Sequence, residues 1–108
     1  MSSQKITIQS TNNKNILKFV STQILINGGS YEYNNIDDAK NSPLAQQLFY
    51  LPFVKKIFIT ANFIAIQRFD IVEWSDVQEE VREQIEAYLI AGGIVVTETS
   101  SSRKKEPI

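Results

Sequence analysis

The chain has 108 residues, of which 43% are hydrophobic, and a formal net charge of -1. This length allows one hydrophobic core but not two, so we expect a single domain. Because the chain contains neither cysteine nor histidine, disulfides, thiolate metal sites and imidazole acid/base chemistry are excluded, and the absence of a basic excess argues against nucleic-acid binding.

The amino-terminal residues MSSQKITIQSTNN lack both the apolar core of a signal peptide and the arginine-rich pattern of a transit peptide. No stretch of the sequence approaches the roughly 18 apolar residues that a membrane-spanning helix requires. We therefore predict a cytoplasmic protein that does not enter a membrane.

The first third of the chain has the pattern of strands. In residues 5–10 isoleucines alternate with polar residues, which predicts a half-buried strand. Residues 16–26 are rich in β-branched and aromatic side chains, which indicates either one long strand or two short ones broken near residues 21–23. After the turn signal Asn27-Gly28-Gly29-Ser30, the alternation of Tyr31 and Tyr33 indicates another short strand.

Residues 34–41 are polar and are interpreted as a connection. Their two adjacent aspartates do not indicate a cation site, because no third ligand stands at regular spacing. Ser42-Pro43 is a helix start, because serine caps the free N–H groups and proline is well suited to the first helical position. The helix is predicted to reach Tyr50. Its apolar stripe consists of Leu44, Ala45, Leu48 and Phe49.

The central feature is a hairpin over residues 54–69, folded about Ala61 and Asn62. Period-two alternation then pairs Ile59 with Ile64 and Ile57 with Ile66 on one face, which needs helices to cover it. The opposite face is also apolar and carries Phe58, Phe63, Ala65 and, at its end, Phe69.

A second helix is predicted from the capping-box spacing of Ser75 and Gln78. Its apolar residues recur at helical spacing, five carboxylates make its outer face acidic, and Gly92-Gly93 ends it. The run 94–96 is a candidate for a short edge strand. The remaining residues, 98–108, have the composition of a flexible tail or linker, which leaves residues 1–97 as the domain.

No glycine-rich phosphate loop or carboxylate with a partner base is recognisable, so we predict no enzyme and no catalytic, cofactor-binding or metal-binding residues. The candidate partner-binding residues are Phe58, Phe63 and Phe69, unless the tail or the loop 50–53 covers the second hairpin face. The alternative is a stand-alone small-ligand or regulatory binding domain with a pocket between the sheet and the Ser42 helix.

Four segments, in this order and spacing, resemble the amino-terminal domain of Nfu-type (NifU-like) iron–sulfur scaffold proteins. They are TNNKNILKF at 11–19, SPLAQQLF at 42–49, VKKIFITANFIAIQ at 54–67, and Trp74. The family usually has prolines where Asn12 and Lys14 stand. The family-motif positions are Asn13, Asn15, Leu17, Lys18, Phe19, Ser42, Pro43, Leu44, Ala45, Leu48, Phe49, Phe63, Ile64 and Trp74.

The predicted strands and helices indicate an α+β domain from the residues alone. The resemblance implies the same class, with two layers in ββαββα order: an antiparallel sheet with two helices packed on one face. Nfu-type proteins carry an iron–sulfur cluster on a separate carboxy-terminal Cys-x-x-Cys domain. Without cysteine this chain binds no cluster. The resemblance therefore implies a non-catalytic accessory domain whose partners are iron–sulfur donor or client proteins and the scaffold's own carboxy-terminal domain, with 98–108 as the start of the linker.

Overall fold

A computed structural model of the chain, which describes residues 5–97, has a five-stranded antiparallel sheet and two α-helices. The strands occur in the spatial order β1-β2-β5-β4-β3, and a 3-10 turn, Ile36–Ala39, precedes the first helix. The bounds are β1 (Ile6–Ser10), β2 (Ile16–Ser21), β3 (Ser30–Tyr33), α1 (Pro43–Phe49), β4 (Val54–Thr60), β5 (Phe63–Arg68) and α2 (Trp74–Ile90).

The β4–β5 hairpin is the centre of the sheet and has the predicted register. Ile57 pairs with Ile66 and Ile59 with Ile64, and all four side chains are 0% exposed. Full burial contributes about 1.5–3 kcal/mol for each isoleucine. This face is therefore the floor of the core, as the sequence predicted.

Both helices cover the isoleucine face. Leu44 and Leu48 of α1 and Val81 and Ile85 of α2 are buried in one cluster with the four isoleucines and Phe19. The predicted fold class, an α+β domain with an antiparallel sheet and two helices on one face, is confirmed.

The sheet has one strand more than the ββαββα pattern. β3 pairs with β4, Tyr31 opposite Ile59 and Tyr33 opposite Ile57, so the short tyrosine strand forms an edge. The run 16–26 contains only one strand, because β2 ends at Ser21. Beyond it, the N–H groups of Leu25 and Ile26 donate to the carbonyl of Ala61, at 2.8 and 3.2 Å, and hold the loop against the hairpin turn.

The start of α2 differs from the prediction. The helix begins at Trp74, and its N-cap residue Glu73 makes no side-chain capping bond. The buried Arg68 side chain explains this entry, because its guanidinium donates to the carbonyl of Val72 and to Asp70 and lies 3.7 Å from a Glu73 carboxylate oxygen. These contacts fix the chain before the capping box that the sequence suggested.

The end of α2 follows the predicted glycine signal. Gly92 has φ +85°, and the N–H of Gly93 donates to the carbonyl of Tyr88 at 2.9 Å, which is the Schellman arrangement. Residues 94–96 form no strand. The predicted tail, 98–108, lies outside the described residues, and no helix within 5–97 is long and apolar enough to cross a membrane.

Candidate functional site

The face of the sheet opposite the helices is here called the open face. Both described helices pack on the other side, so within residues 5–97 this face is covered by neither helix. Register and alternation assign to it the side chains of Thr7, Gln9, Ile16, Lys18, Val20, Ser30, Glu32, Lys56, Phe58, Thr60, Phe63, Ala65 and Gln67.

Two phenylalanines form the apolar centre of the open face. The rings of Phe58 and Phe63 have centroids 6.3 Å apart and planes inclined by 44°, and Ala65 lies directly opposite Phe58. The loop 50–53 does not cover them, because Phe53 is buried on the helix side with its ring centroid 6.0 Å from that of Trp74. The tail that was the other predicted cover lies outside the described residues.

Two lysine side chains lie over phenylalanine rings near this centre, one over Phe63 and one over Phe69. The ammonium nitrogen of Lys18 lies 4.5 Å from the ring centroid of Phe63. That of Lys55 lies 5.9 Å from the ring of Phe69, which is 44% exposed at the end of β5. Such cation–π contacts contribute about 0.5–1 kcal/mol at exposed sites, so they hold the lysines only weakly.

The position of Lys55 was not evident from the sequence. The β4–β5 register shifts between Val54 and Lys56, which makes Lys55 the extra residue of a β-bulge. The bulge leaves Lys55 exposed while Val54 remains buried. The sequence signal for this bulge is the pair of adjacent lysines, which interrupts the alternation of apolar and polar residues in the strand.

Several family-motif positions meet at the turn between β1 and β2. The backbone carbonyl of Asn15 accepts hydrogen bonds from the Trp74 indole N–H and the Arg68 amide, each at 2.9 Å. The Asn13 side chain accepts from the Asn15 amide, and Trp74 packs edge-on against Phe19 at 5.8 Å. These residues join the turn to the start of α2, which is a structural role.

A second group of contacts surrounds Ser42, which is fully buried. Its hydroxyl accepts from the Ala45 amide at 3.1 Å, the predicted N-cap, and donates to the carbonyl of Val95 at 2.6 Å. Beside it the Thr97 amide donates to the carbonyl of Asn41 at 2.7 Å. Ser42 therefore also fastens the segment after α2, a contact between residues 53 positions apart that local patterns do not reveal.

The remaining family-motif positions lie on the open face, at the ends of α1 or in the core. Lys18 and Phe63 lie on the open face. Pro43 is the first residue of α1 and Phe49 is partly buried at its end. The others are buried in the core: Leu17, Leu44, Ala45, Leu48 and Ile64.

Two tyrosines on the helix side have raised pKa values, and each makes a hydrogen bond within the fold. Burial raises the pKa of Tyr33 to about 12, and its hydroxyl donates to the Asn41 side chain at 3.0 Å. Burial also raises the pKa of Tyr88, whose hydroxyl donates to the carbonyl of Ile94. Among residues 5–97 there is no group of three Asp, Glu, His or Cys side chains arranged to hold a metal ion.

A family model described as "Scaffold protein Nfu/NifU N terminal" matches residues 6–92. The chain belongs to this family. It is 33% identical over 102 residues to the protein named NFU1 iron-sulfur cluster scaffold homolog, mitochondrial, of Drosophila sechellia, which covers 94% of this chain and 36% of that relative. It is also 24% identical over 101 residues to NifU-like protein 4, mitochondrial, of Arabidopsis thaliana, with the same coverages.

Solved structures agree with this Nfu/NifU assignment. The solution NMR structure of a NifU-like protein from Saccharomyces cerevisiae superposes with a TM-score of 0.77 at 29% identity and covers 92% of each chain. The crystal structure of protein SAV1430 from Staphylococcus aureus gives 0.65 at 25% identity and covers 76% of this chain and 99% of that one. The predicted resemblance to the Nfu amino-terminal domain is thereby confirmed.

Two further facts follow from the relatives of this Nfu/NifU domain. The chain spans about a third of the length of the curated relatives reported above, 36% in both cases. Both relatives are named as mitochondrial proteins, and this makes our prediction of a cytoplasmic protein wrong. That prediction rested on the composition of the first residues. The pattern of strands and helices in a domain does not indicate the compartment in which the protein works.

Proposed function

We propose that this domain is a non-catalytic protein-interaction module of an iron–sulfur cluster scaffold or carrier. It binds donor or client proteins and the scaffold's own carboxy-terminal domain, and it does not itself ligate the cluster. The observation that carries the proposal is the open face, where Phe58 and Phe63 lie uncovered by either helix of the described part. The names of the relatives support a mitochondrial location.

The chemistry of the chain supports a contact role rather than a cluster site. Protein iron–sulfur clusters are held mainly by cysteine thiolates, with histidine as the common substitute, and the chain has neither residue. In the proposed division of labour, the cluster resides on a separate Cys-x-x-Cys domain. Residues 1–97 form the interaction domain, and residues 98–108 begin the linker between the two.

The alternative of a small-ligand domain receives less support. Its pocket was expected between the sheet and α1, but Leu44, Ala45 and Leu48 are all at most 1% exposed there. These three side chains belong to the hydrophobic core cluster, so at this interface α1 packs on the sheet instead of lining an open pocket.

The test is cluster transfer by the full-length scaffold carrying Phe58→Ser and Phe63→Ser. We expect unchanged circular dichroism and cluster absorption, and an initial rate of transfer to an apo client protein at least about tenfold lower at limiting client concentration. The matched control is Tyr50→Ser, which removes a 76% exposed aromatic ring at the end of α1, outside the open face. Normal transfer by the double variant would refute the proposal, and loss of its cooperative unfolding would show instead that both rings are needed for the fold.

A further inference from the structure

The two sides of the domain carry opposite charge, although the whole chain is nearly neutral. α2 contains five carboxylates and one basic residue. That residue, Arg82, pairs with Glu79 at 2.8 Å and with Glu86 at 3.3 Å. Within residues 5–97, the strands of the open face instead carry Lys18 and Lys56 with one carboxylate, Glu32, and Lys55 is exposed at the bulge next to Lys56. A partner of the sheet side therefore meets a locally positive surface.

The lysines on this side are available to a new partner. Within residues 5–97, Lys18 and Lys55 form no ion pair, and each ammonium group lies over an aromatic ring instead. Lys56 pairs with Glu32 at 3.2 Å, and both side chains are well exposed. A carboxylate that approaches Lys18 or Lys55 gains an ion pair without breaking one.

The arrangement of charge around the apolar centre limits the shape of the partner. Lys18 on β2 and Lys56 on β4 lie on opposite sides of β5, opposite Ala65 and Gln67 respectively, and Phe63 lies two positions before Ala65 on β5. Adjacent strands are about 4.8 Å apart, so β2 and β4 are separated by about 10 Å, close to the diameter of one α-helix. The strip thus has the width of a single helix: Phe63 and Ala65 lie along its middle strand, Phe58 lies beside them on β4, and one lysine stands on each outer strand.

We propose that the open face binds an acidic amphipathic helix of a partner protein. Its apolar side chains contact Phe58 and Phe63, and carboxylates on its flanks pair with Lys18, Lys55 and Lys56. This inference rests on the proposed function and specifies the chemistry of the partner. Charge complementarity carries it, since the same apolar strip without lysines would not discriminate between acidic and basic helices.

The direct test titrates the 108-residue chain with a synthetic helical peptide of about five turns, bearing a leucine stripe flanked by glutamates. A second peptide has lysine at every glutamate. We expect only the acidic peptide to bind, with amide chemical-shift changes confined to β2, β4 and β5. Its affinity is expected to fall as salt is raised. Equal binding of both peptides, or shifts confined to α2, would overturn the inference.

Charge reversal supplies the matched comparison. Lys18→Glu with Lys55→Glu is expected to weaken acidic-peptide binding by at least about tenfold. Lys14→Glu with Lys40→Glu changes the net charge equally at exposed positions outside the open face, and it is expected to leave binding within about twofold. An equal loss in both variants would mean that only net charge matters, which contradicts the inference.

Two outcomes separate this inference from the proposed function. If the phenylalanine variant slows cluster transfer while the Lys18/Lys55 reversal does not, the domain still recruits clients and the acidic partner is wrong. If neither variant affects transfer, the proposed function itself fails. A second copy of the chain would be the occupant if sedimentation shows concentration-dependent dimers and amide hydrogen exchange slows on the open face in them. That result would also overturn the acidic-helix assignment.

Discussion

Replacing Ser42 with alanine tests whether one hydroxyl performs two structural tasks. The variant removes the N-cap of α1, worth about 1 kcal/mol, and leaves the carbonyl of Val95 without its 2.6 Å partner. An unsatisfied buried group costs about 1–3 kcal/mol. The expected loss in the free energy of unfolding is therefore about 2–4 kcal/mol, a large part of the roughly 5–15 kcal/mol of an ordinary domain.

Urea denaturation measures this loss, with an unchanged m-value as the check that the unfolded state is the same. Asn35→Ala is the control, because Asn35 caps the 3-10 turn by accepting from Asp38 at 2.9 Å and is exposed; we expect about 1 kcal/mol or less. Ser42→Gly measures the bond to the carbonyl of Val95 separately, since glycine in place of serine at an N-cap costs only a few tenths of a kcal/mol.

Amide hydrogen exchange gives a local readout of the same variant. The Thr97 amide, bonded to Asn41 at 2.7 Å, is expected to exchange faster in Ser42→Ala by more than the global destabilisation explains, because the neighbouring attachment is lost. If Ser42→Ala costs no more than Asn35→Ala and Thr97 keeps its protection, the double role of Ser42 is refuted.

Three further predictions concern the fold. Burial raises the pKa of Tyr33 from 10.0 to about 12. The contribution of its neutral hydroxyl to stability is therefore complete below pH 10 and is lost as the pH rises to about 12. Between these pH values the urea midpoint of Tyr33→Phe should fall less steeply than that of the unchanged protein. Ala61 has φ 44°, so Ala61→Gly is expected to raise the unfolding free energy by about 0.5–1 kcal/mol, whereas Ala87→Gly in the exposed interior of α2 should lower it by about 1 kcal/mol; lower stability of Ala61→Gly would contradict the strain argument. Ile59→Asp should abolish cooperative thermal unfolding because it buries an unpaired charge at a cost of several kcal/mol, while Phe58→Asp, on the other face of the same strand, should stay folded; identical melting of the two variants would refute the assignment of faces.

The hairpin was predictable because its information is local. A two-residue turn and isoleucines at alternate positions allow only one register that puts Ile57, Ile59, Ile64 and Ile66 on the same face, and this register is present. The residues also indicated that the predicted helices cover this isoleucine face, and the family resemblance added that both helices pack on one side of an antiparallel sheet. Neither step required knowledge of contacts between distant parts of the chain.

The errors arose where hydrogen bonds and ion pairs of particular side chains outweigh the pattern of apolar and polar residues. The helix does not begin at the capping box of Ser75, because the contacts of Arg68 fix the chain just before Trp74. Arg68 follows Ile64 and Ile66 at alternate positions of β5, and this spacing was a sign in the sequence that its side chain is buried. The run 94–96 has the composition of a strand, but hydrogen bonds from Tyr88 and Ser42 hold its carbonyls. The bond from Ser42 joins residues 53 positions apart, whereas those of Arg68 and Tyr88 are short-range contacts between a side chain and the backbone, and patterns of apolar residues show neither kind.

The distribution of the family-motif positions separates fold from function. Asn15 and Trp74 tie the first turn to α2, and Ser42 ties α1 to the segment that leaves the domain, so these residues specify how the elements are joined. Among the family-motif positions, Lys18 and Phe63 lie on the open face and are in direct contact. In the proposed complex with an acidic helix, this pair joins the predicted family motif to the partner, and the neighbouring residues Lys55 and Phe58 contribute to the choice of partner.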